Sequence, residues 1–247
     1  MRYALKRAPE RVFVQACGRA VQVAVRRNPR AQRLILRIDG GSGLPVLTLP
    51  SRTPLAQGER FVKANTAWLE NQLGQLTPSV PFRPGGAFPL RGMPCRIRHR
   101  GGRGVMSLDR RGDIFVLNVP GEAEFLPRRV TEWLKREARR DLERAVARHS
   151  EAIGKKPAMI RIGDAKSRWG SCSARRVLTF TWRLVLAPRY VLDYLAAHET
   201  AHLAQMNHGP KFWALVDRLD PDHRRASTWL ATYGGELGAI GRSGEDF

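Results

Sequence analysis

Tyr190-Val-Leu-Asp-Tyr-Leu-Ala-Ala-His198-Glu-Thr-Ala-His202-Leu-Ala-Gln-Met206, followed by Asn207-His208-Gly-Pro210, is the stretch on which this chain turns. Three of the six histidines lie in it. On a helix, positions i and i+4 stand one above the other, about 5–6 Å apart at Cβ, so His198 and His202 can reach one small cation. Glu199 is roughly 100° further round and can lean over that cation without binding it. The run before His198 is apolar nearly all round, which predicts a buried helix opened by Pro188. A buried glutamate beside paired histidines is costly unless a divalent cation compensates it.

His208 needs a second argument. On a continuing helix it would lie about 80° from His198 and point away. A break is required, and Asn207 and Gly209 in left-handed conformations, with Pro210 unable to continue the ladder, would supply it. The bland alternative is that His208 hydrogen-bonds the helix end. Three imidazoles, a carboxylate alongside and one open coordination position are what a zinc hydrolase needs, with Glu199 as general base. Positive groups belong where negative charge develops, and Lys166, Arg168 and Arg183 are the candidates for substrate or oxyanion contacts. Arg168 and Trp169 could equally brace a strand against the helix. Trp182 and Trp213 read as core, and His99, His149 and His223 as surface histidines.

Lys166-Ser-Arg-Trp-Gly-Ser-Cys172, Trp182-Arg-Leu-Val-Leu-Ala-Pro188, the histidine helix, Asn207-His208 and Phe212-Trp213 together resemble the YgjP-like zinc metallopeptidases, relatives of the SprT-like and WLM proteases. The similarity runs from about Arg19 to Tyr233 and is densest between Lys166 and Trp213. It implies an α+β, zincin-like (minigluzincin-like) fold, with His198, His202 and His208 as zinc ligands and Glu199 as catalytic residue. Thr200 stands where the family more often has an apolar residue, a departure that touches packing only. The spacing to His208 also matches the metzincins, but Gln205 replaces their glycine.

Composition bounds the rest. An apolar fraction of 43% over 247 residues supports a real core. Cys17, Cys95 and Cys172 are odd in number, far apart and outside any C-x-x-C pattern, so neither a disulfide framework nor a cysteine zinc site is indicated. The first residues carry no apolar run and no segment reaches membrane-spanning length, which gives a cytoplasmic expectation. Forty-three Lys and Arg against 22 Asp and Glu leave +21, a surface that attracts polyanions and predicts some non-specific affinity for nucleic acid.

The organisation expected is a basic N-terminal extension at 1–18, one metallopeptidase domain at 19–235 and a loose tail at 236–247. Within the domain, 19–120 reads as β-rich and antiparallel, and 121–235 as the zinc-binding helical part. Strands are expected at Ala20–Val25, Leu34–Ile38 (before the turn Asp39-Gly-Gly-Ser-Gly43) and Val46–Leu49, with a helix over Pro54–Leu76. Pro78–Pro94 reads as a linker. Strands follow at Arg96–Arg100, Val105–Leu108 and Asp113–Val119, with Arg100-Gly-Gly-Arg-Gly104 as a hairpin turn. An amphipathic helix spans Glu124–Ile153, its mixed charges reading as a solvated, self-paired face. Strands at Ala158–Ile162 and Val177–Arg183 bracket the Lys166–Cys172 segment. Helices at Lys211–Leu219 and Pro221–Tyr233 close the fold, the second ended by Gly234-Gly235. No internal repeat is visible in the sequence.

A peptide substrate suits a zinc helix beside a strand, because an extended chain can pair with a strand edge. The arginine excess favours a second class, a metal-dependent phosphohydrolase of nucleoside triphosphates. A third is a nucleic-acid-associated, SprT-like protease. A purely structural zinc module is disfavoured by the open position and the adjacent carboxylate.

Overall fold

The computed structural model describes residues 10–39, 43–75, 77–165 and 168–242. They divide between Pro78 and Ser79 into two compact units, each with its own apolar core. Part of the turn after Asp39, together with Leu76, Lys166 and the residues from 243 onward, lies outside the described residues.

In the first unit, β1 (Arg11–Ala16), β2 (Arg19–Asn28), β3 (Ile35–Ile38) and β4 (Pro45–Pro50) form one sheet in the order β1-β2-β4-β3. The sheet is mixed, not antiparallel as expected. The chain leaves β2, lays β3 at the far edge, and returns as β4 parallel to β2, with Ala24 opposite Val46. β1 lies inside the stretch read as an extension. Val12, Val14 and Ala16 alternate inward, and Cys17-Gly18 (φ 51° and 73°) turns the chain back onto β2. The expected helix over 54–76 is two helices, α1 (Leu55–Ala64) and α2 (Thr66–Gly74). Asn65 separates them. Its amide donates to the Phe61 carbonyl at 2.8 Å, a local bond that competes with the helical ladder. Gly58 lets α1 lie close on the sheet, since a Cβ there would stand 2.9 Å from Leu47.

The second unit repeats this strand plan. β5 (Ala87–Leu90), β6 (Met93–Arg100), β7 (Ser107–Arg111) and β8 (Ile114–Pro120) take the order β5-β6-β8-β7, and again the second and fourth strands are parallel. Arg100–Gly104 is therefore no hairpin turn. It begins a crossover that carries the chain past β8 to the opposite edge. The recurrence is topological and invisible as sequence identity. The stretch read as a linker holds β5 and the start of β6.

α3 (Leu126–Ile153) buries Val130, Leu134, Ala138, Leu142 and Val146, and ends on Gly154 in the left-handed conformation (φ 64°). β9 (Met159–Gly163), β10 (Gly170–Cys172) and β11 (Val177–Thr181) make a third sheet in the order β10-β11-β9, leaving β10 at an edge. A 3-10 turn at Trp182–Val185 leads into α4 (Arg189–Ala201), then α5 (Pro210–Leu219) and α6 (His223–Ala239). α6 passes through Gly234-Gly235 instead of stopping there. Gly234 is where the helix meets the Trp169 ring, which a Cβ would approach to 2.8 Å. Part of the expected tail is thus ordered: residues 236–239 are helical, and Ile240 is buried and bridged to Val80. Among the described residues no helix is long and apolar enough to cross a membrane.

The tip of the β5–β6 hairpin fixes the start of α4. Arg91 (φ 54°) donates its backbone N–H to the Val185 carbonyl at 2.7 Å, and Gly92 donates to Leu186 at 3.1 Å. A Cβ on Gly92 would meet Pro188 at 3.0 Å. The Arg91 guanidinium is buried on α3 between Glu137 and Asp141, 2.7 Å from each, while Arg140 and Arg144 neutralise the same acids from outside. Burial alone would raise the Asp141 carboxyl, but the bond and charge of Arg91, with Arg144 and Arg189 adding to them, together outweigh it and hold Asp141 below its usual range.

Removing the guanidinium strands two buried carboxylates, so Arg91→Ala should destabilise the fold by about 3 kcal/mol, the low end for a broken buried pair because two outer arginines remain. Urea unfolding at pH 7 would measure it. A depressed carboxylate contributes stability above its unfolded pKa of roughly 3.9 and loses it as pH falls through the folded value. The difference between parent and variant should therefore shrink below about pH 4.

Candidate metal centre

α4 is apolar on nearly every side, as its sequence requires, and Glu199 and Thr200 are buried on it. The helix ends at Ala201. His202 caps it in a right-handed conformation, and Leu203 and Ala204 turn back by 3-10 bonds to Thr200 and Ala201. The break before α5 differs from expectation. Gly209 is extended (φ −80°), not left-handed, and Pro210 opens α5. The Gly209 N–H donates to the Asn207 carbonyl at 2.8 Å, a tight turn centred on His208.

That turn folds His208 back onto the helix. His208 Nε2 stands 3.1 Å from His198 Nε2, and one nitrogen from each of His198, His202 and His208 lies within 4.8 Å of the others. His202 Nδ1 is 3.0 Å from the Gln205 carbonyl. A carbonyl only accepts, so the proton sits on Nδ1 and Nε2 keeps its lone pair, the arrangement that orients a metal-binding imidazole. Burial, then the neighbouring His202, His208 and His223, push His198 down to about 4, and burial also lowers His202. Both rings are neutral donors at pH 7. The donor set fits a borderline divalent cation such as zinc.

Glu199 sits against β10. Gly170 has no room for a side chain, since a Cβ would stand 2.6 Å from Glu199 Oε1. Oε2 is buried with no hydrogen-bond partner among the described residues. Burial pushes the Glu199 carboxyl up to about 7, with the positive charge of Arg168 acting the other way. A buried acid with an idle oxygen is poised to exchange a proton.

The three basic candidates part company. Arg168 is exposed and its charge reaches Glu199. Arg183 is spent elsewhere: it donates to Asp164 and to the carbonyls of Leu237 and Ile240, which closes the C-terminal end of α6, and it stacks on Trp182. Lys166 lies outside the described residues.

The histidines read as surface groups are not. His99 is half-buried and bonds Gly121, while His149 is buried against Asp193. His223 is buried between Tyr194 and Trp213, its Nε2 2.8 Å from Asp217. Trp182 is core as expected. Trp213 is not; it is 38% exposed and stands 6.0 Å from His198 and 5.9 Å from His208, ring centre to ring centre. In the adjacent pair Phe212-Trp213 it is Phe212 that faces the core, and Trp213 lies about 100° further round the helix.

The model of the YgjP-like family, metallopeptidase domain, matches residues 32–233, beginning later than Arg19. Among solved structures the chain is similar to the metallopeptidase zymogen abylysin of Pyrococcus abyssi, at 20% identity and a TM-score of 0.35, over 37% of this chain and 92% of that one. No curated protein matches. The family match spans most of the chain and contains α4, β10 and the histidine cluster. The chain belongs to the YgjP-like metallopeptidase family, an α+β, metal-dependent class of peptidase.

Proposed function

We propose that this protein is a zinc-dependent peptidase of the cytoplasm in which His198, His202 and His208 hold the metal and Glu199 is the general base. The convergence of the three imidazoles beside a buried carboxylate carries this reading. When bound, zinc supplies a Lewis acid that polarises a carbonyl and makes water acidic near neutral pH. Glu199 takes up the proton released as the peptide carbonyl is attacked, then delivers it to the leaving amine. Its raised affinity for protons suits both halves of that cycle. Arg168 is the positive group placed to oppose charge developing on the carbonyl oxygen. β10 pairs with β11 alone among the described residues, so its outer edge is open to an extended peptide, which would bring a scissile bond beside Glu199.

The close approach of β10 makes a prediction of its own. Gly170→Ala should push Glu199 aside and lower kcat by up to about 10²-fold, because small displacements of a reacting group cost that much. Metal content, measured by elemental analysis, should stay at the parent's level.

The decisive assay incubates the zinc-loaded protein with casein-type peptides and, separately, with nucleoside triphosphates, using Glu199→Gln as control. Peptide cleavage that the substitution abolishes supports the reading. Turnover of triphosphates alone would make the protein a phosphohydrolase, an outcome to which the cationic Arg168 would lend itself. Peptide cleavage that depends on added DNA would favour a nucleic-acid-associated protease.

A further inference from the structure

α3 has two kinds of charged surface. Over its middle and C-terminal turns the cations are matched: Lys135 with Glu132, Arg139 with Glu143, Arg140 with Glu137, Arg144 with Asp141 and Arg148 with Asp193. Arg128, Arg129 and Arg136 have no carboxylate partner among the described residues. They face a groove of about 540 Å³ between α3 and the crossover that joins β6 to β7. Arg129, Arg136 and Arg140 run up one wall at helical spacings of seven and four residues, about 10 Å and 6 Å along the axis. Glu132 is the one acid in the lining, and it already holds Lys135. The opposite wall is Gly104, Val105 and Met106, with exposed Arg103 beside them.

Two details say what such a groove takes. Every cation in its lining is an arginine, whose planar fork suits phosphate oxygens and whose face stacks on rings. Its surface is also partly apolar. Met106 and Trp133 lie in it, and Val105 is 91% exposed at the rim. An acidic peptide would satisfy the arginines and leave the apolar surface unused. A duplex would present phosphates with its bases stacked away from that surface. A single strand offers both, a charged backbone and unstacked bases.

We propose that the groove between α3 and the β6–β7 crossover is a docking site for single-stranded nucleic acid, separate from the metal centre and independent of what that centre cleaves. The arginines follow the backbone, and Val105 with Met106 receives a base.

The test is fluorescence anisotropy of a fluorescein-labelled oligothymidylate 12-mer with the full chain, titrated over a range of salt. Arg103→Ala/Arg128→Ala/Arg136→Ala should bind at least tenfold more weakly at about 100 mM salt. Its slope of log K against log salt should be shallower by about 2, at roughly 0.7 per lost contact to a single strand. All three side chains are exposed, so circular dichroism should match the parent. A control triple, Arg26→Ala/Arg30→Ala/Arg33→Ala, removes the same charge from the first unit and should stay within about twofold of the parent. Equal losses in both triples, or none in either, would overturn the proposal by reducing it to overall charge. So would polyglutamate displacing the oligomer as effectively as unlabelled oligomer does, or a duplex of equal length binding more tightly than the single strand.

Discussion

Glu199→Gln should keep its metal in full and lose peptide turnover by about 10²–10⁴-fold, the usual worth of a positioned general base. The amide is nearly isosteric with the carboxylate, so it fits the space left by Gly170 and leaves the histidine cluster undisturbed. It cannot accept the proton. Elemental analysis beside a single-turnover assay separates the two effects. Parent-like turnover in a preparation free of wild-type enzyme would take Glu199 out of the mechanism.

His208→Ala should be the variant that loses metal. His198 and His202 come from one helix and its cap, and two nitrogens grip a divalent ion far less firmly than three. Under mild chelation that leaves the parent loaded, this variant should be stripped, and its activity should return only with excess zinc. The tight turn over Asn207–Gly209 directs His208 to within 3.1 Å of His198, where it would serve as the third donor. Equal metal retention by parent and variant would place the third ligand elsewhere.

The convergence of the three histidines was legible from the sequence because the rules behind it are local. An i, i+4 histidine pair needs one helix, and Pro210 signals a break wherever it occurs. What escaped reading depended on contacts between distant elements. Nothing near Arg183 announces that it will close a helix ending more than fifty residues later. Gly170 looks like an ordinary strand glycine until Glu199 is placed against it. His223 has no partner in its own segment beyond Asp217, and only the packing of α6 buries it between Tyr194 and Trp213. Strand direction failed for a similar reason. Strand-forming runs mark β2, β4, β6 and β8 correctly, but their parallel pairing follows from where β3 and β7 are laid down, which such runs do not encode.

The first unit did hold a missed cue, since Val12, Val14 and Ala16 alternate before Cys17-Gly18 as plainly as any later strand. In both units the hairpin tip also finds an acid on a helix later in the same unit: Cys17 donates its N–H to Glu70 on α2, as Arg91 reaches Glu137 and Asp141 on α3.

A substrate strand taken up as proposed at the rim of β10, which pairs with β11 alone among the described residues, would be held by its main chain, and main chain is the same in every protein. What differs from one protein to another is whether a stretch of it is available. Residues already zipped into a native helix or sheet have no spare amides to offer, whereas a frayed, nascent or damaged polypeptide has many. Selection at that rim would rest on the foldedness of the victim more than on its sequence, a sorting suited to clearing polypeptides that have lost their shape.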